Sequence, residues 1–204
     1  MESLTPRQIR SNRIKLLILW LVPIGLMGIA AVCFYLVQTG RMSIGSTNHG
    51  SLVNPPLQLL ELASEQSLVA EQAFSTHQKW TMLIRGDVQC DETCRDALYL
   101  TRQIHVRLDK SANRVQRVLL VEALPLDEDA AAYIEQEHKY LKLAVLTEPA
   151  LVEIEEAVRR EDGELPIFML VDQDGWLMMA YYQHHEGNGM LKDIKHLLKI
   201  TRER

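Results

Sequence analysis

Between Leu16 and Val37 the chain carries no charged side chain. At ~1.5 Å per residue such a stretch makes a helix of roughly 33 Å, enough for a hydrocarbon core of about 30 Å. A lone segment in lipid can satisfy its backbone polar groups only as a helix, so this stretch constrains the fold before any other feature does. Pro23, Gly25 and Gly28 are tolerated in a membrane helix, and Trp20 and Tyr35 suit its two boundaries. The competing reading is a cleaved signal peptide. Its apolar region is ordinarily about 7–15 residues and ends in a small-x-small site, which Val37-Gln-Thr-Gly40 does not supply. The expectation is an uncleaved anchor over residues 16–38, with Cys33 as filler on it.

Charge orients the anchor. Arg7, Arg10, Arg13 and Lys15 against Glu2 give residues 1–15 a net of +3; the whole chain is −5, so the remainder carries −8. A basic flank before the span predicts a cytoplasmic tail over 1–15 and an exported C-terminal body. An acidic body excludes nucleic acid as an expected partner. Residues 39–56 are crowded with Gly, Ser, Asn and Pro and read as a linker. Residues 57–204 then form the body, a comfortable size for one core.

Within the body the informative stretch is Lys79–Leu108. Trp80–Ile84 reads as a strand, Arg85–Gln89 as a polar loop, and Cys90-Asp-Glu-Thr-Cys94 opens a helix. Cys94, Ala97, Leu98, Thr101, Ile104 and Leu108 fall on one face of that helix. Cysteines four apart at a helix start share one side, where their sulfurs can meet each other or share a soft metal ion. Helix N–H groups favour thiolate there. Cys94, on the apolar stripe, is expected to be the buried sulfur and Cys90 the exposed one. Against this stands the plain alternative that both cysteines only pack. The position, at the carboxyl end of a strand beside a helix N-terminus, is where a site sits in an α/β sheet.

The rest alternates. Leu57–Phe74 holds two short apolar runs, Leu57–Leu62 and Leu68–Ala70, read as a strand or hairpin and a short helix. Arg117–Val121 is a buried strand, Asp127 caps a helix to about Leu141, and Leu143–Leu146 is a short strand. Thr147 and Pro149 start a helix with Leu151, Ile154 and Val158 inward. Pro166–Val171 is a strand, Asp172–Gly175 a hairpin turn and Trp176–Tyr182 the returning strand. Asn188 caps a last helix carrying Leu191, Ile194, Leu197 and Leu198. This order gives an α/β fold with a mixed sheet flanked by helices.

At this point the pattern resembles the thioredoxin superfamily. The matching parts are Trp80 with its strand, the paired cysteines at a helix start, and Pro166-Ile-Phe-Met-Leu-Val-Asp-Gln-Asp-Gly175. The resemblance implies a thioredoxin-like sheet, with Pro166 facing the cysteine pair and Leu165–Pro166 a candidate cis bond. Three residues between the cysteines resemble the Sco/SenC group, single-pass membrane proteins that handle copper for cytochrome c oxidase. One departure matters. The group's third copper ligand is a histidine, and its position here is Glu164, a poor ligand for Cu(I). The return of Trp176–Tyr182 toward the cysteine edge makes His184 and His185 candidate replacements, as metal ligands or as a proton acceptor for Cys90. The plain alternative is two solvated loop histidines. His77, His105, His138 and His196 read as surface or core-edge residues, Met178 and Met179 as packing, and Glu153–Glu156 as a solvated face.

These readings imply a protein of the bacterial plasma membrane with its body outside. Its partner would be a cytochrome c oxidase subunit or another exported thiol protein. Cys90 and Cys94 would hold copper(I), or keep a client's copper-site cysteines reduced. The competing functions are a general tethered thiol–disulfide oxidoreductase, in which Cys90 attacks and Cys94 resolves, and a non-catalytic docking protein.

Overall fold

The computed structural model describes residues 6–39, 48–64 and 79–201. The run Leu68–Ala70 and His77 lie outside the described residues. The chain divides into two compact units, residues 1–47 and 48–204. In the first, helix α1 (Pro6–Gln38) contains an apolar stretch, Lys15–Leu36, that is long and apolar enough to cross a membrane. It carries Pro23 internally, and most of the described apolar side chains along it are exposed, with Cys33 and Leu36 half-buried.

The second unit is built on a six-stranded mixed sheet. Its elements are β1 (Ser51–Gln58), α2 (Leu59–Ser64), β2 (Trp80–Arg85), α3 (Glu92–Val106), a 3-10 turn (Asp109–Arg114), β3 (Val115–Val121), α4 (Glu128–Glu137), β4 (Leu141–Val145), α5 (Glu148–Val158), β5 (Phe168–Val171), β6 (Trp176–Tyr181) and α6 (Gly187–Ile200). The spatial order is β1-β6-β5-β2-β3-β4. β2, β3 and β4 run parallel, β5 pairs antiparallel with β2 and forms a hairpin with β6, and β1 pairs antiparallel with β6.

Side-chain alternation divides the core into two layers. From β2, Trp80, Met82 and Ile84 join the layer that holds Leu98 and Ile104 of α3, Ile134 of α4 and Ile194 of α6. Leu83 turns the other way, into a layer with Leu151, Ile154 and Val158 of α5 and Leu59 of α2. Covered on both faces, the central strands are mostly apolar, and β3 is buried along its whole length, Gln116 and Arg117 included.

Four of the differences from the expected boundaries are instructive. β1 begins at Ser51, inside the stretch that reads as a linker. Its prolines are accommodated because β1 is an edge strand and its register with β6 slips between Leu52 and Leu57. The helix expected to reach Leu141 ends at Glu137, because His138 leaves helical geometry and Leu141 N–H closes on the His138 carbonyl at 2.8 Å. β5 starts at Phe168 rather than Pro166. Asn188 does not cap α6: the Glu186 carbonyl accepts from Gly189 and Met190, and Asn188 Oδ1 accepts from Arg107 at 3.0 Å.

Candidate functional site

The two cysteines are joined: Cys90 and Cys94 form a disulfide with Cα atoms 5.1 Å apart. Three local features bring it about. Asp91, not a cysteine, is the N-cap of α3, its carboxylate accepting from the Cys94 N–H at 2.9 Å. This satisfies a donor the first turn would otherwise leave open, and the N–H expected to favour a thiolate serves a carboxylate instead. Cys90 therefore stands outside the helix, and its φ of +43° turns the chain back so that its sulfur meets that of Cys94. Gly86 supplies the room. A Cβ there would lie 2.8 Å from Cys94 Sγ and 3.0 Å from Leu119 Cδ1.

The surroundings close over the pair. Asp127 N–H donates to the Val88 carbonyl at 2.8 Å, pinning the cysteine loop to the start of α4. Arg95 Nε donates to the Cys90 carbonyl at 3.1 Å while its guanidinium lies 4.9 Å over the Tyr133 ring. Cys90 is 0% exposed and Cys94 3%. The expectation of an exposed Cys90 is thus corrected: both sulfurs belong to the α3-side core layer, and a thiol reaching them has to displace the loop. Gly86 and Arg95 are the functional neighbours that periodicity did not single out. The isolated glycine just after a strand was the one available signal for the first; nothing in the spacing pointed to the second.

Pro166 lies just before β5, at the sheet edge where β2 ends, since Leu83 faces Met169 in the antiparallel register. The cis peptide bonds among the described residues are Asn54–Pro55 and Leu124–Pro125, so Leu165–Pro166 is not the cis bond that the resemblance implied.

His184 and His185 lie at that same edge, following β6, but they are held by each other rather than by sulfur. Their ring centroids are 4.0 Å apart, and His184 stacks on Tyr182. His185 Nδ1 accepts from the Tyr182 N–H at 2.8 Å, and burial beside His184 lowers its basicity. Glu164, in the third-ligand position, bonds Arg160 at 3.1 Å and sits 4.0 Å from His184 Nδ1. Among the described residues no group of three or more His, Cys, Asp and Glu is placed to hold a metal ion. The donor set at the pair is two sulfurs, suited to Cu(I) only after reduction. Met179 is core and Met178 packs at its margin. His105 Nε2 lies within hydrogen-bond distance of the Ala112 and Val115 carbonyls.

Residues 80–201 match the family described as transmembrane-like, thioredoxin-like, C-terminal domain. No curated protein matches the chain. Among solved structures the chain is similar to yeast Sco1, at 16% identity over 63% of this chain and 84% of that one, with a TM-score of 0.49. It is also similar to Arabidopsis thaliana ScoI with copper bound, at 18% identity over 60% and 88%, TM-score 0.44. A third is a thiol:disulfide interchange protein from Bacteroides sp., at 15% identity over 79% and 95%, TM-score 0.44.

Proposed function

The chain belongs to the transmembrane-like, thioredoxin-like C-terminal-domain family, and on that premise we propose that it is a Sco-like, membrane-anchored assembly factor for cytochrome c oxidase. In this reading Cys90 and Cys94 handle copper, or the redox state of a client's copper-site cysteines, on the outer side of a bacterial plasma membrane. The partner is an oxidase subunit or another exported thiol protein. One observation supports it above the rest: a Cys90–Cys94 bond after the carboxyl end of β2, at the start of α3.

The chemistry is two-electron exchange. With the pair reduced, the Cys90 thiolate attacks one sulfur of a client disulfide and the client's other sulfur leaves as a thiolate. The Cys94 thiolate then attacks Cys90 in the mixed disulfide. The client leaves as a dithiol, and Cys90–Cys94 closes as seen here. Two electrons and two protons pass to the client. Copper(I) would be cargo for the same reduced pair, held by two thiolates.

Burial of both sulfurs favours a second reading, a docking protein in which the disulfide is structural. Redox equilibration of the full-length protein in detergent, in a Cys33→Ser background, separates the two. The exchange reading expects reversible opening between about −300 and −120 mV; a structural bond stays closed at potentials above roughly −300 mV. Titration of the reduced protein with Cu(I) is expected to show one ion per chain, lost in Cys90→Ser. An unchanged affinity in the His184→Ala/His185→Ala double variant removes both histidines from the site.

A further inference from the structure

The parallel strands end at the disulfide and begin at a cavity of about 960 Å³ at the opposite end of the sheet. Lys79 precedes β2, Arg117 lies near the start of β3, Lys142 near that of β4, and Arg102, His138 and Lys139 come from the ends of α3 and α4. On a chain of net charge −5 this is a concentration of basic side chains.

Two of these groups are buried and short of partners among the described residues. Arg117 is 6% exposed, and its partners are neutral: the Leu98 carbonyl at 2.6 Å and the Thr101 hydroxyl at 3.2 Å. Among the described residues no carboxylate pairs with it. His138 is 3% exposed, and among the described residues neither ring nitrogen has a hydrogen-bond partner. Orphaned buried polar atoms are uncommon in a folded protein, and a buried charge is ordinarily paired. The one carboxylate on the wall among the described residues, Glu137, already holds Arg102 at 2.8 Å. The basic groups also act on one another. Burial and Arg102 lower the Arg117 guanidinium to about 10; burial, Arg117 and Arg102 lower the His138 imidazole to about 4; burial and Lys79 lower Lys142.

We propose that this cavity is a binding site for a small organic oxyanion, a phosphate- or carboxylate-bearing molecule whose anionic head meets Arg117 and His138 and whose body lies along the partly apolar wall. The volume is within the range of small-molecule sites, roughly 300–1,000 Å³. Guanidinium is the side chain best matched to a planar or tetrahedral oxyanion, because its fork donates two parallel hydrogen bonds. An imidazole with a free N–H supplies a third donor, and the lysines at the mouth raise the local anion concentration. The site lies at the opposite end of the sheet from the disulfide and does not depend on its chemistry.

The test uses the full-length protein in detergent at constant ionic strength. One calorimetric series is titrated with sodium phosphate and another with sodium citrate, with the histidine ring signals followed by NMR. The expected result is a saturable one-site isotherm with at least one probe and a shift of the ring signal that His138→Gln removes. Arg102→Gln and His138→Gln each weaken binding roughly fivefold or more, while Lys195→Gln, on the exposed face of α6, does not. Saturation by phosphate alone assigns a phosphate ester; saturation by citrate alone assigns a carboxylate. Failure to saturate with either probe overturns the site. So do isotherms that the two cavity variants leave within twofold of the unmodified protein, or that Lys195→Gln weakens as much.

Discussion

Gly86 sets how near the disulfide can lie to the sheet. The atom that a new methyl would strike is a bonded sulfur, unable to swing aside as a free side chain would. Gly86→Ala should therefore cost about 1–3 kcal/mol of stability in the oxidised protein, as overpacking typically does. Urea unfolding checks this, with Cys94→Ala as the second arm: the penalty should shrink once the sulfur is gone. Asp91 acts at the same scale, since the residue that caps α3 also takes the amide nearest the inner sulfur. None of this was legible in Cys-x-x-x-Cys alone. The pairing of the two sulfurs was one of the geometries that the spacing allowed, but the tie from Val88, beside Cys90, to Asp127 joins residues far apart in sequence.

At the scale of elements, the periodic ones were the most readable. The inward face of α3 follows from a period of 3.6, the buried strand β3 from a bounded apolar run, and the hairpin from the turn residues Asp172–Gly175. β1 was hidden because Asn54, Pro55 and Pro56 carry the chemistry of a turn, and only an irregular edge pairing admits them to a sheet. The two residues just before β1 are held by a carboxylate on α6. Asp193, 6% exposed, accepts from the His49 and Gly50 N–H groups, both at 2.8 Å, and from the Tyr181 hydroxyl at 3.3 Å. Burial and this carboxylate together push the Tyr181 hydroxyl far above its ordinary value. Asp193→Asn keeps the shape but turns one acceptor oxygen into a donor group and removes the charge. A loss of roughly 1.5–3 kcal/mol is expected for such charge-assisted bonds. Amide exchange should show faster opening at His49 and Gly50 before the rest of the sheet.

For the whole molecule, the charged cavity has a consequence for pH. His138 is held neutral by burial and by Arg117 and Arg102, with its value lowered from 6.5 to about 4. The unfolded chain therefore binds the extra proton first, and stability rises with pH across that window. It is fully present above about 6.5 and falls as pH drops toward 4. The expected loss is roughly 1–3 kcal/mol, allowing for solvent at the cavity mouth. Urea unfolding at a series of pH values checks it, and His138→Gln should flatten that part of the profile. Neither this cavity nor its cations could be read from the chain, because Arg117 sits inside a run whose apolar pattern predicts only a buried strand.

The left-handed turn at Cys90 ties the backbone to the state of its sulfur. A side chain other than glycine rests in that region at a cost of about 1 kcal/mol, and here the covalent link holds it there. Cutting the link frees the residue to return to ordinary geometry, carrying its thiol outward and loosening the Val88 tether. Reductant would then act as a latch release, opening a passage that the oxidised form keeps shut. Hydrogen exchange at residues 88–92 should quicken on reduction while the amides of β3 hold their protection; equal exchange in both states would mean that the lid does not lift.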